Sequence, residues 1–165
     1  MQTVQIRPGR VQDAPEVAAL EAQCFPKAEA ADEATLRARL QAFAGCFWVA
    51  CVQGRIVGLI NGAMTDARTI SDDMFEDVRL HNPHGRYQSV FGLEVHPDFQ
   101  HRGIAQQLMR HLIDTARAQG KAGVILTCKR HLIPFYEQFG FECLGVSASV
   151  HGGAEWYDML LAFAQ

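Results

Sequence analysis

The stretch that most restricts how this chain can fold runs from Ser89 to Cys128. Ser89 to Val95 reads as a short apolar strand. His96-Pro97 stops it, because proline has no amide to give to a ladder. Gly103 to Gln119 then sets Ile104, Leu108, Leu112 and Ala116 at the four-residue spacing of a helix with one buried face, and Gly120 closes it. Val124 to Cys128 follows as a second buried strand. Strand, helix and strand in this order make a mixed α/β unit, with the helix laid on a sheet.

Hairpin signals stand on both sides of this unit. Val4 to Arg7 is a short strand candidate. Asp13, with Glu16 three residues on and Pro15 in the first turn, predicts the capped start of a helix that ends at Phe25-Pro26. A second helix is predicted from about Asp32 to Phe43. Phe47–Val52 and Ile56–Ala63 are apolar runs divided by Gln53-Gly54-Arg55, a hairpin signal. Residues 64 to 88 are polar and read as a long insertion, which in a small domain is often functional. Leu132 to Phe139 reads as a short helix, and Phe141–Val150 and Glu155–Ala162 as closing strands. No internal repeat is visible.

With 165 residues the chain has room for one ordinary domain, 1–165, and 48% hydrophobic residues supply its core. A formal net charge of -3 argues against nucleic acid or an anionic membrane as a partner, since both call for a basic surface. No apolar run approaches the roughly 20 residues that span a bilayer. The start, Met1-Gln2-Thr3-Val4-Gln5, lacks the pattern of a secretory leader. Five cysteines, an odd number with no Cys-x-x-Cys pair, read as reduced and mostly buried thiols of a cytoplasmic protein, with no zinc site.

The most informative residues are Leu93 to Ala105, where a strand turns tightly into a helix. The first amides of a helix lack an internal partner and point along the positive end of its dipole, which suits a diphosphate. Gly103 lets the backbone approach such a ligand without a Cβ, Ala105 is small, and His101 and Arg102 add positive charge at the rim. A bare glycine turn before a surface helix would look the same from Gly103 alone. The longer run Gln100-His101-Arg102-Gly103-Ile104-Ala105 resembles the Q/R-x-x-G-x-G/A signature of the GNAT acetyltransferase superfamily. That resemblance implies an α/β (α+β) fold built on a single mixed, mostly antiparallel sheet of about seven strands, with four helices and a splayed central strand. It also implies acetyl-CoA as co-substrate. The backbone of His101, Arg102, Gly103, Ile104, Ala105 and Gln106 would hold the pyrophosphate, and Leu93, Glu94 and Val95 would pair with pantetheine as an added strand does.

The segment Phe135-Tyr136-Glu137-Gln138-Phe139-Gly140-Phe141 is similar to the second signature of that superfamily, in which the tyrosine sits near the thioester sulfur. A thiolate with a pKa of about 8.5 leaves in acetyl transfer, and a phenol near 10 can protonate it at short range. Tyr136 is therefore the expected general acid. The other reading is a core ring with a locally bonded hydroxyl.

Within the superfamily the chain most resembles the arylalkylamine (serotonin) N-acetyltransferase branch. Ile133 to Phe141, Glu21-Ala22-Gln23-Cys24-Phe25, Gly54-Arg55-Ile56-Val57 and Leu80 to Gly85 fall in order on its pattern. The resemblance implies an acceptor pocket at Phe25, Phe91, Leu93, Thr127 and Tyr136. Two stretches depart from it. The two histidines of that branch's proton relay are replaced by Ser89 and Phe91, and its proline-containing lid by Glu29 to Ala34. A base is still needed, because a primary amine with a pKa near 10 is mostly protonated at neutral pH. The candidates are His81, His84, Glu94 or a water held by Ser89, each of which also reads as an ordinary loop or edge residue. Glu94 falls on the opposite strand face from Ser89 and Phe91 unless a bulge intervenes. The expected activity is direct transfer from acetyl-CoA to the primary amine of a small molecule, in a monomer or homodimer. The rivals are acetylation of a polyamine or protein amine, and a non-catalytic acyl-CoA sensor.

Overall fold

The computed structural model describes residues 3–164; Met1, Gln2 and Gln165, and with them the first residues of the leader reading, lie outside the described residues. In chain order the elements are β1 (Val4–Pro8), α1 (Ala14–Cys24), α2 (Glu33–Ala42), β2 (Phe47–Val52), β3 (Arg55–Asn61), β4 (Met64–Thr65), α3 (Asp73–Glu76), β5 (Tyr87–Val90), β6 (Gly92–Val95), α4 (Ile104–Ala118), β7 (Gly123–Cys128), α5 (Ile133–Glu137), β8 (Glu142–Val146) and β9 (Tyr157–Ala162). Short 3-10 turns join several of them. The architecture is the expected mixed α/β one. The strands bond into a four-stranded sheet, β1-β2-β3-β6, and a five-stranded sheet, β4-β5-β7-β9-β8. This division arises at Phe91. The run read as one strand from Ser89 to Val95 is interrupted there, so β5 pairs with β7 while β6 pairs with β3. Every described pairing except β5 with β7 is antiparallel. A fifth helical stretch, α3, lies in the insertion.

The chain forms two compact units. The first comprises the chain up to Gly62 together with Gly92–Leu112. In it α1 and α2 bury Ala14, Val17, Leu20, Leu36 and Leu40 with Phe47, Val49 and Leu59 of the sheet. The β2–β3 hairpin turns at Gln53 and Gly54, with φ of 51° and 79°, the left-handed pair that a tight two-residue hairpin requires. The first turns of α4 press onto β3 at Gly58: a Cβ there would lie 3.2 Å from Leu108 and 3.4 Å from Ile104. Asp32, where the second helix was expected to begin, caps α2 and accepts the Thr35 amide at 2.8 Å. Asp13 does not cap α1. The Arg7 guanidinium engages both its oxygens, at 2.8 and 3.0 Å, and the Arg10 amide adds a third bond at 2.8 Å, so the carboxylate is already committed. Glu16, expected to complete that capping box, instead accepts the Ile56 amide at 2.8 Å.

The second unit comprises Ala63–Phe91 and the chain from Ile113 onward. The insertion at 64–88 is less polar in practice than it reads. Ile70, Met74 and Phe75 are buried with Tyr87, Ile125 and Leu160. β8 stops at Val146, short of the expected Val150; its ladder to β9 is irregular between Cys143 and Gly145, where Gly145 has φ of 107°, and resumes at Gly145 and Val146. The cysteines are mostly buried, as expected: Cys46, Cys51 and Cys128 are buried and Cys24 is half-buried, while Cys143 is exposed.

Candidate active site

In the first unit, β6 lies at the edge of its sheet, with Leu93 opposite Ile60 and Glu94 opposite Leu59. Edge strands keep one row of backbone groups available for an added strand. The carbonyl of Val95 closes the turn behind β6, accepting the Gln100 side-chain amide at 3.2 Å. His96 Nδ1 accepts the Asp98 amide at 3.1 Å and so caps the short turn Pro97–Phe99. His101 then takes φ of 63° and Gly103 φ of 80°, two left-handed residues that swing the chain into α4. The first α-helical bond is Gln107 N–H to the Gly103 carbonyl, at 3.1 Å. The amides of Ile104, Ala105 and Gln106 therefore belong to the helix opening, which has no intrahelical acceptor for them. Nothing lies within 4 Å of where a Gly103 Cβ would stand. A left-handed glycine, an open face and amides at a helix start fit an anionic diphosphate. His101 and Arg102 are exposed at the rim, and the Arg102 guanidinium sits 5.0 Å above the Phe99 ring.

The same unit holds a buried polar cluster. Glu21 on α1, Glu94 on β6, Arg39 on α2 and Asn61 on β3 are all at most 5% exposed. Arg39 donates to Asn61 Oδ1 at 3.2 Å, and Glu21 Oε2 accepts the Ala31 amide at 2.9 Å. Glu21 Oε1, both Glu94 oxygens and Asn61 Nδ2 find no partner among the described residues. Burial, then the facing Glu21 carboxylate, raises the Glu94 carboxyl well above its ordinary range, against the pull of Arg39. Burial pushes the Arg39 guanidinium down to about 10. Phe25 is half-buried where α1 ends.

In the second unit, Ser89 is fully buried, and both its hydroxyl and its amide donate to the Ala63 carbonyl, at 2.6 and 2.8 Å. That hydroxyl braces the strand. Phe91 packs on Phe75 with ring centroids 5.1 Å apart, and Thr127 is half-buried opposite Asp158. Tyr136 is buried with its ring edge-on to Phe135 and Phe141. Burial, reinforced by Cys128, raises its phenol above the ordinary value, so it keeps its proton at neutral pH. The Cys128 thiol is pushed up to about 12, chiefly by burial, which leaves it a poor nucleophile. Of the histidine candidates, His81 accepts the Met64 amide at 3.0 Å and has its pKa lowered by burial, while His84 is exposed in a loop.

Glu21, Arg39 and Asn61 do not stand out in the sequence as site residues. The available signal was a polar residue inside an apolar run: Glu94 between Leu93 and Val95, and Asn61 within Ile56–Ala63. Among the described residues no group of three or more His, Cys, Asp or Glu is placed to hold a metal ion. None of their helices is long and apolar enough to cross a membrane.

The turn into α4 and the Tyr136 helix both fall within residues 14–141, which match the acetyltransferase (GNAT) family. The chain belongs to that family. It is 31% identical over 108 residues to serotonin N-acetyltransferase of Mesocricetus auratus, covering 65% of this chain and 51% of that protein. It is 29% identical over 105 residues to N-acetyltransferase 8 of Homo sapiens, covering 62% and 40%. The chain thus spans about half or less of the length of these curated relatives. Among solved structures, a GNAT-like decarboxylase, GphF, in complex with isobutyryl-CoA aligns over 96% of this chain and 98% of its own, with a TM-score of 0.80 and 22% identity. Arabidopsis thaliana Naa50 with a bisubstrate analogue aligns over 97% and 99%, with a TM-score of 0.74 and 18% identity. At such identities these two speak for the fold alone, since one fold can carry different chemistries.

Proposed function

We propose that residues 1–165 act as a single acetyl-CoA-dependent N-acetyltransferase domain that acetylates the primary amine of a small molecule. The observation that carries this reading is the turn from Gln100 to Gln106, with left-handed His101 and Gly103 and an open face at Gly103. Its amides suit the diphosphate of coenzyme A, and the edge of β6 at Leu93–Val95 suits the amide-bearing pantetheine arm. Family membership and a serotonin N-acetyltransferase relative support the amine acceptor.

The proposed reaction is direct attack of the neutral amine on the thioester carbonyl, with both substrates bound together. A backbone amide of the interrupted strand steadies the developing oxyanion. Tyr136 gives its proton to the leaving thiolate. Of the base candidates, Glu94 combines a buried carboxyl with a raised proton affinity, whereas the Ser89 hydroxyl is bonded to Ala63 and His81 to Met64. The acceptor site is proposed to draw on Phe25, Phe91, Leu93, Thr127 and Tyr136. The five free cysteines support a reducing, cytoplasmic setting, in a monomer or homodimer.

Two assays test this reading. Calorimetry with coenzyme A should show binding. Thiol release from acetyl-CoA, run with aromatic, aliphatic, polyamine and peptide amines, should show turnover with a small primary amine. Turnover with peptides alone would move the activity to a protein amine, and binding without turnover would make the chain a sensor. Tyr136→Phe should lower kcat about 100-fold or more with coenzyme A affinity kept; an unchanged rate removes Tyr136 as the acid.

A further inference from the structure

The polar cluster of the first unit has a geometric focus. A Cβ built on Gly92 would lie 3.1 Å from Glu94 Oε1, 3.7 Å from Asn61 Nδ2 and 4.0 Å from Glu21 Oε1. Three polar atoms from three elements, each without a partner among the described residues, thus converge where a side chain at position 92 would project. Leaving one such atom buried and unsatisfied costs about 1–3 kcal/mol, and carboxylate oxygens more. Carboxylate oxygens are acceptors only, so Glu21 and Glu94 cannot satisfy one another until a proton joins them. Asn61 is held in one sense because its Oδ1 takes the Arg39 bond, which aims its Nδ2 donor at this point.

We propose that Glu94 and Glu21 form a proton-sharing carboxyl pair beside Gly92, and that this pair takes up the proton of the acceptor amine. The inference rests on the acetyl-transfer reading above. As the N–C bond forms, the amine's N–H bond breaks and its proton ends on Glu94. The C–S bond breaks with its electron pair on sulfur, which Tyr136 protonates. Glu94 is the proton acceptor; Glu21, Arg39 and Asn61 are positioning residues that act through it. The charges suit this task. With both carboxylates ionised and Arg39 protonated the cluster carries one net negative charge, and one proton brings it to neutrality. The groups facing Glu94 are Glu21 and Cys24 of α1, Arg39 of α2 and Asn61 of β3. Burial, then the Glu21 carboxylate, raises its proton affinity above that of a surface carboxylate against the pull of Arg39, the direction that suits a base for an amine proton. Glycine at position 92 puts no side chain among these polar atoms, and nearby Cys24 ties the end of α1 to β6 through the Val95 carbonyl at 3.6 Å.

The test uses two nearly isosteric variants that change the charge beside Glu94 in opposite senses. Glu21→Gln removes a negative neighbour and keeps an acceptor for the Ala31 amide; Asn61→Asp adds one. Two midpoints are read in the full chain: the Glu94 carboxyl titration by carbon-13 NMR, assigned by its loss in Glu94→Gln, and the acid limb of kcat/KM for thiol release. Activity needs ionised Glu94, so this limb rises with pH. The amine's own deprotonation lies higher and is the same in every variant. Both midpoints should fall together by about one pH unit or more in Glu21→Gln and rise in Asn61→Asp. Glu94→Gln should lose about 100-fold or more in kcat/KM and lose the limb. A Glu94 carboxyl that titrates like a surface group, or one that moves while the kinetic limb stays fixed, overturns the proposal. Wild-type protein that turns over no amine overturns the acetyl-transfer reading itself, and the proposal falls with it.

Discussion

Replacing Gly103 by alanine separates the energetics of the turn from its role as a ligand socket. At φ of 80° an alanine pays for the left-handed conformation, about 1–2 kcal/mol. No atom lies within 4 Å of the new methyl group, so no clash adds to that figure. For a chain of this length each kcal/mol lowers the melting temperature by about 2–4 °C, which predicts a fall of roughly 2–8 °C. Gly54 is the matched control: its φ is 79° and its Cβ position is equally open, but it sits in the β2–β3 hairpin. Gly54→Ala should therefore melt at nearly the same temperature as Gly103→Ala. Coenzyme A binding should part them. A methyl group on the open face at Gly103 stands where the diphosphate must approach, and the loss of one charge-assisted amide bond, about 1.5–3 kcal/mol, weakens binding about 10- to 100-fold. Gly54→Ala should bind as the wild type does. Differential scanning calorimetry gives the first comparison and titration calorimetry the second. Equal coenzyme A affinity in the two variants would refute the placement of the diphosphate at this turn, however well the melting temperatures agreed.

Two further outcomes follow from buried or tethered groups. The Arg7 guanidinium holds the Asp13 carboxyl below its ordinary range, so the stability this pair contributes is present above about pH 4 and lost as pH falls through the lower folded-state value; Asp13→Asn should unfold about 1–2 kcal/mol more easily in urea at pH 7 and flatten the pH dependence of stability below pH 4. Alkylation by iodoacetamide at pH 8, followed by mass spectrometry, should modify exposed Cys143 first and spare Cys128, whose thiol is pushed up to about 12 and buried; early labelling of Cys128 would contradict its placement in the core.

What could be read from the sequence was whatever depends on neighbours in the chain. The α4 pattern at Ile104, Leu108 and Leu112, the second helix near Asp32 to Phe43 and the Gln53-Gly54 turn are settled within a few residues, and all three appear as expected. Asp13 misled because its partner, Arg7, belongs to a strand and competes with the local amides for the same oxygens. Ile70, Met74 and Phe75 are scattered through a polar stretch with no period, so nothing local marks them as core. The phosphate-binding candidates formed one continuous motif and were visible at once. The Glu94 cluster was not, because its members lie on four separate elements and only folding brings Glu21, Arg39 and Asn61 beside it. Strand parity also assumes an uninterrupted strand, and the break at Phe91 removes that assumption between Ser89 and Glu94.

The pairing of β3 with β6 bears on how the chain is made. At the moment Gly62 leaves the ribosome, three strands of the first sheet exist, but the neighbour that covers β3 has yet to emerge. Residues of the second unit must emerge before β6 can close that edge. A fragment ending at Gly62 should therefore behave as a sticky hairpin-and-helix intermediate, prone to self-association while it waits. Splitting the gene for fragment complementation has better prospects after Gly120, once β6 and the whole of α4 can seal the sheet.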